Sequence, residues 1–316
     1  MFWDVLLTVL LAFHLLAMNV ASAAPLVTPF LEARGSVTGN DARLGKWLSW
    51  FAVYAFVVGI LLGLGVAGAL WLAGETAFWN TLPRFAYKIK WGVAELAFYL
   101  ACMVPYAMVW DRAVRGGRIF KWLHRTVAVL AATNLLYHFP VLFRVIVLVA
   151  NGRSGKDGAN DIRAAEFREL GFTPEVISFA CHFALASVAV VGVALMWRTV
   201  RMPANATDDS LEPNDSDWQT RAIQRGARIT LFASSLQILV GIWVAYSLPR
   251  VSLNKVVGQD MAATACLGVS ALLTFLLLQL LTPLAFGEWK KSAVVRCKLL
   301  LMLIVVLMTH TLRKTY

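Results

Sequence analysis

Eight long apolar segments limit what this chain can fold into more than any other feature of its sequence. An α-helix needs about 20 apolar residues to cross the hydrocarbon core of a bilayer, and these segments are close to that length. Backbone polar groups find no partners in lipid, so such segments form helices. The sequence therefore predicts an all-α, polytopic membrane protein with eight transmembrane helices, at roughly residues 5–24, 47–73, 91–110, 126–150, 173–197, 229–248, 259–283 and 297–312.

The composition excludes several classes of protein. Of the 316 residues, 59% are hydrophobic and 15% are charged, which excludes a disordered chain and a soluble enzyme of ordinary composition. The net charge of +11 is explained by basic cytoplasmic loops, so we expect a lipid bilayer and no nucleic acid as a partner. The four cysteines form no C-x-x-C pair, so neither a disulfide framework nor a zinc site is expected.

The order of the segments predicts two four-helix groups, residues 1–155 and 156–316. A polar stretch at 198–228, rich in Asp, Asn and Pro, is predicted to be a flexible linker between the fifth and sixth segments. The first segment ends in an alanine-rich sequence like a signal-peptidase site. It has Asp4 and no basic residue before Arg34, however, so a retained helix is expected.

The distribution of basic residues predicts the orientation in the membrane. Seventeen Lys and Arg residues lie on one side of the predicted bilayer, and eleven lie on the side of the N-terminus. Basic loops are retained in the cytoplasm. We therefore expect both termini outside, in a multi-pass protein of the bacterial inner (cell) membrane.

Ionisable side chains inside the predicted helices are candidates for function, because such groups are costly in lipid. Together with one methionine at a similar depth they are His14, Glu95, His138, Arg144, His182, Met261 and His310. A rise of about 1.5 Å per residue places the four histidines, Glu95 and Met261 at the midplane or in the outer half of the membrane. His124, at the cytoplasmic end of the fourth segment, is expected to be solvated.

Several histidines in a helix bundle favour two chemistries, ligation of haem b or a relay of protons or a metal ion. Haem fits better, because small residues beside His14 and His182 would leave room for a flat macrocycle and Arg144 would pair with a propionate. These small residues are Ala17, Ala21, Ser178, Ala186 and Ala189. The alternatives are histidines that bond neighbouring helices and small residues that allow close helix packing.

The equal depths of His14 and His182 suggest how many haems the bundle holds. His14 and His182 lie at the same depth on the helices that open the two groups, which predicts one or two haems b. His138 lies about 5 Å deeper than His14 by helix rise and is favoured as its partner, with His310 second and an open site third.

Several short motifs occur in the same order as in one protein family. They are Phe13-His14-Leu15-Leu16, Glu95 upstream of Trp110-Asp111-Arg112, Ala150-Asn151-Gly152, His182 and Met261. This order resembles subunit I of the cytochrome bd-type quinol oxidases, best over residues 5–155 and more weakly over 173–275.

The resemblance implies a respiratory electron-transfer protein, an oxidoreductase subunit with other membrane or cytochrome subunits and quinone as partners. It implies that His14 binds a high-spin haem beside Glu95, and that His182 and Met261 ligate a low-spin haem b. The family's long quinol-binding loop is replaced here by ten residues, 249–258, so the chain alone is not expected to oxidise quinol with oxygen. A proton- or metal-translocating permease is the alternative function.

Overall fold

The computed structural model describes residues 2–34, 39–152, 161–202 and 215–315, and for 215–217 it describes the backbone alone. Nearly all of these residues are helical, and none of them lies in a β-strand. In chain order the helices are α1 (Phe2–Arg34), α2 (Asn40–Leu72), α3 (Thr76–Thr81), α4 (Ala86–Met108), α5 (Trp110–Arg115), α6 (Arg118–Ala150), α7 (Ala164–Gly171), α8 (Pro174–Arg201), α9 (Asp215–Ser247), α10 (Arg250–Asn254), α11 (Met261–Phe286) and α12 (Lys291–Lys314).

Eight of these helices are long and apolar enough to cross a membrane, which confirms the predicted all-α, multi-pass class. The linker prediction is wrong for most of its length, because α8 continues to Arg201 and α9 already begins at Asp215. Only the linker residues 203–214 lie outside the described residues. The predicted boundary between the two groups, at 155/156, also lies outside them.

The long helices form two four-membered rings that meet along one seam. In the first ring α1 packs against α2, α2 against α4, α4 against α6, and α6 against α1. The second ring repeats this order with α8, α9, α11 and α12. Between the rings, α1 packs against α8. Two further contacts correspond to each other, α6 against α8 and α12 against α1. This pattern of contacts is that of a pseudo-twofold axis passing between α1 and α8.

Polar contacts along the seam repeat the same symmetry. Ser187 Oγ of α8 donates to Asn19 Oδ1 of α1 at 2.9 Å, and both side chains are buried. Arg144 of α6, in the first ring, pairs with Glu175 near the start of α8 at 2.8 Å. In the corresponding contact, Arg313 of α12, in the second ring, donates to the Asp4 carbonyl near the start of α1 at 2.6 Å.

The connection between α9 and α11 is compact. After α10 the chain makes a π-helical turn, Lys255–Gln259, in which Gly258 takes a φ of +118° that favours glycine. Asp260 then caps α11, because its Oδ1 accepts from the Ala263 N–H at 3.0 Å. The predicted short loop is therefore a set of helical turns that leads directly into α11.

Candidate functional site

His14 is held between α1 and α2. Its Nδ1 lies 2.7 Å from the carbonyl oxygen of Gly59. A carbonyl can only accept, so Nδ1 donates a proton, and in the neutral ring Nε2 is then unprotonated. A Cβ at Gly63 would lie 2.9 Å from the ring's Cε1, so the ring occupies space that only glycine leaves open. A histidine oriented by a carbonyl at one nitrogen is typical of metal-ligating rings, with the other nitrogen available as the ligand.

His182 lies in the corresponding place in the second ring of helices but lacks the carbonyl partner that His14 has. Its imidazole faces Gly241 of α9, where a Cβ would lie 3.8 Å from the ring's Cε1. The ring's Nδ1 is buried, and no hydrogen-bond partner for it is found among the described residues. A buried nitrogen without a partner costs on the order of 1–3 kcal/mol. The hydrogen bonding of His182 is therefore not satisfied by the described residues.

The two histidines occupy equivalent positions. His14 lies five residues before Asn19, and His182 lies five residues before Ser187. Because Asn19 and Ser187 bond each other across the seam, the pseudo-twofold axis that relates them also relates the histidines. Each histidine contacts a glycine of the next long helix, and these contacts place the pair symmetrically in the two rings.

Three of the small residues beside the histidines contact neighbouring helices. The carbonyl oxygen of Ala21 accepts from the Tyr99 hydroxyl at 2.8 Å, and that of Ala189 accepts from Thr230 Oγ1 at 3.2 Å. A Cβ at Gly59 would lie 3.6 Å from that of Ala17. Neighbouring helices thus fill these faces, which is the close packing that small residues allow in membranes.

Glu95 and His138 form a pair between α4 and α6, with Glu95 Oε1 and His138 Nδ1 3.1 Å apart. Residues four apart lie on the same face of a helix. Glu95 therefore shares a face with the buried Tyr99, and His138 shares one with the buried Leu142. Their side chains are nevertheless 21% and 45% exposed. The pair is therefore partly exposed at the contact between α4 and α6.

Helix geometry fixes the depth of this pair relative to His14. The Tyr99–Ala21 hydrogen bond sets α4 level with α1. Glu95 precedes Tyr99 by four residues and His14 precedes Ala21 by seven, so His14 lies about 5 Å nearer the end of the bundle at which α1 and α4 begin. This agrees with the depth difference predicted for His14 and His138. Because α4 begins at Ala86, Glu95 lies more than two turns into its helix, deeper than its apolar segment suggested.

Arg144 is buried and already has an acidic partner. Its Nη2 donates to Glu175 Oε1 at 2.8 Å, and its guanidinium lies 5.1 Å from the centre of the Phe179 ring. Glu175 is also buried. The ion pair joins the two rings of helices, so the predicted role of Arg144 toward a propionate would have to compete with Glu175.

Met261 and His310 lie near the end of the second ring at which α11 begins and α12 ends. Met261 is the first residue of α11 and is 77% exposed, while α8, which bears His182, is at the opposite corner of the ring. His310 is half-buried on α12. A hydrogen bond from the Ala263 N–H holds the pKa of Asp260 below its usual range, and His310 adds a smaller electrostatic contribution. His310 is therefore near the cap of α11.

A buried charge cluster at the other end of the bundle was not predicted. His124 is 6% exposed, so the expectation that it is solvated is wrong. Its Nδ1 lies 2.7 Å from Glu32 Oε2, its Nε2 lies 2.9 Å from the Tyr106 carbonyl oxygen, and its ring stacks on Tyr106. Arg125 Nε donates to the other oxygen of Glu32 at 3.1 Å. Each ring nitrogen of His124 therefore lies beside an oxygen that can accept a hydrogen bond.

Sequence reasoning missed this cluster because Glu32 and His124 are 92 residues apart. The one available signal was that each lies near the end of a long apolar segment. The structure thus holds two kinds of histidine. His124 is buried with an oxygen beside each ring nitrogen, whereas His14 makes one hydrogen bond and the buried Nδ1 of His182 has no partner among the described residues.

In the part of the chain that the structure describes, no three His, Cys, Asp or Glu side chains come together as a metal-ion site. Haem iron needs only one or two protein ligands, which single histidines provide. Comparisons with family models and with curated proteins gave no match to this chain.

Proposed function

We propose that this chain is a b-haem-containing electron-transfer protein of the bacterial inner membrane, similar to subunit I of the cytochrome bd-type quinol oxidases. It would pass electrons between the quinone pool or a periplasmic cytochrome and a partner subunit. The main observation behind the proposal is the symmetric pair His14 and His182, each set against a glycine of the next long helix.

The donor chemistry of the two histidines fits a haem better than a bare metal ion. Gly59 fixes the tautomer of His14 and keeps Nε2 as the ligating nitrogen, and His182 has a buried nitrogen that the protein does not satisfy. Haem b, when bound, supplies an iron centre that gains and loses one electron. The proposal includes Met261 as the second ligand of the haem at His182.

Glu95 and His138 give the first ring a proton-holding pair. Nδ1 of His138 is engaged by Glu95, so its Nε2 is available either as a second ligand toward the His14 site or as a proton carrier. Both side chains are partly exposed, so a bound group could reach them. The carboxylate would offset the positive charge that a protonated His138 brings into the membrane.

Redox difference spectra of the purified protein test this proposal. Reduced-minus-oxidised spectra should show the Soret and alpha bands of haem b, and His14→Ala and His182→Ala should each remove one component. Phe13→Ala and Cys181→Ala are matched controls, because they change exposed side chains adjacent in sequence to the two histidines. Protein that folds, is purified after expression with haem supplied, and shows no haem bands would refute the proposal.

A proton-translocating permease is the second candidate, and the Glu95–His138 pair favours it specifically. An acid and a base 3.1 Å apart within a membrane helix bundle can exchange a proton. A permease of this kind would show no haem spectrum, and Glu95→Gln would abolish proton flux into vesicles that contain the protein.

A further inference from the structure

The corner between α4 and α6 is strongly basic. The segment that forms it consists of α5 and the first turns of α6, and five cationic side chains line two adjoining clefts there, namely Arg112, Arg115, Arg118, Lys121 and Arg125. The clefts meet at Gly116 and have volumes of about 330 and 510 Å3. Pockets that bind small ligands cover about the same range of sizes, 300–1,000 Å3.

Nearby carboxylates leave most of this charge uncompensated. Asp111, which lines one cleft, is paired with Lys46. Glu32 is buried and accepts from His124 and Arg125. Among the described residues, Arg112, Arg115, Arg118 and Lys121 have no acidic side chain within ion-pair distance. Like charges held this close repel one another, so a bound anion would stabilise the corner.

Apolar side chains beside the basic ones indicate what kind of anion would bind. Ile119 is 82% exposed, and Trp122 and Leu123 on the next turn are also exposed. Trp122 itself lines the smaller cleft, between the basic side chains and this apolar surface. The corner lies where two membrane-spanning helices end, at Met108 and Arg118. Tryptophan is enriched at this depth, next to lipid headgroups.

We propose that this corner binds the phosphate headgroup of an anionic phospholipid, with Arg118 and Lys121 contacting the phosphate and Trp122 bordering the acyl chains. Arg and Lys are the side chains that proteins use for phosphate. Basic pockets at the cytoplasmic ends of membrane helices bind such headgroups, and the positive-inside rule places this corner in the cytoplasm. The site does not depend on haem or on electron transfer.

Native mass spectrometry of the full-length protein in detergent tests the site, with dioleoyl phosphatidylglycerol as the probe. Each basic residue near an anionic surface contributes about 1 kcal/mol, so Arg118→Gln combined with Lys121→Gln should weaken phosphatidylglycerol binding roughly thirtyfold. Lys290→Gln combined with Lys291→Gln is the matched control. It removes the same charge at the start of α12, the helix that corresponds to α6 in the second ring.

Three further results decide the proposal. Dioleoyl phosphatidylcholine, which carries no net charge, should bind much more weakly than phosphatidylglycerol. Inorganic phosphate that competes fully with phosphatidylglycerol at millimolar concentration would overturn the lipid assignment in favour of a free-anion site. Equal loss of phosphatidylglycerol binding in the two double variants would show that net charge, not this corner, attracts the lipid, and would also overturn the proposal.

Discussion

A single methyl group at Gly63 tests the position of His14 directly. A Cβ at this residue would lie 2.9 Å from Cε1 and 3.1 Å from Nδ1 of the imidazole, closer than side-chain atoms normally approach. The ring must therefore move, and the 2.7 Å contact from its Nδ1 to the Gly59 carbonyl breaks or lengthens. Gly63→Ala is thus expected to harm the site without removing the histidine.

The magnitude follows from three contributions. Overpacking a helix interface costs about 1–3 kcal/mol. Loss of one hydrogen bond costs about 1 kcal/mol. Replacing a helical glycine with alanine stabilises the helix by about 1 kcal/mol, because alanine has the higher helix propensity. We therefore expect Gly63→Ala to lower the free energy of unfolding by about 1–3 kcal/mol.

Two other glycines provide matched controls. A Cβ at Gly65 would meet nothing within 4 Å, so Gly65→Ala should keep or slightly raise stability. A Cβ at Gly241 would lie 3.8 Å from His182, an ordinary contact, so Gly241→Ala should also be tolerated. Thermal unfolding in detergent gives the stability of each variant, and the spectrum of bound haem gives the state of the site. If Gly63→Ala matches Gly65→Ala in both measurements, His14 does not lie against α2 as described.

Three further predictions concern buried charges and the partner of His14. His124→Leu should lower stability by about 3–5 kcal/mol, because Glu32 would stay buried with one partner fewer; thermal unfolding at neutral pH measures this, and an unchanged midpoint would contradict the buried cluster. Arg144→Met should be comparably destabilising, and adding Glu175→Gln should recover much of the loss; a double variant less stable than Arg144→Met would argue against the pair. If His138 is the second ligand at the His14 site, the reduced wild-type protein should bind little carbon monoxide and His138→Ala should bind it; stoichiometric binding by the wild type would exclude His138 as that ligand.

The sequence predicted the fold class because membrane spans have a local signal, a run of apolar residues about 20 long. The ends of the helices were predicted less well. Polar residues before Trp218 continue α9 beyond its apolar span, so a run of apolar residues does not mark where the helix begins. Asp215 begins α9 inside a stretch whose composition resembles a flexible linker.

Contacts between distant residues could not be predicted. Relative depth along a helix follows from residue number, which is why a small offset between His14 and His138 could be predicted. Which face of a helix meets which neighbour depends on packing, so the sequence did not indicate that Glu95 pairs with His138 or that Arg144 pairs with Glu175. Small residues beside a histidine can allow close helix contact or leave room for a ligand, and the sequence alone does not distinguish the two.

The hydrogen bond between Asn19 and Ser187 suggests how such a chain could have arisen. An isologous contact of one helix with its own copy is the interface of a homodimer, and residues on its axis meet themselves. The arrangement here is the one that duplication and fusion of a single four-helix unit would leave, with Asn19 and Ser187 descended from one position. In such a fusion each half can change independently, and the Glu95–His138 pair belongs to the first ring.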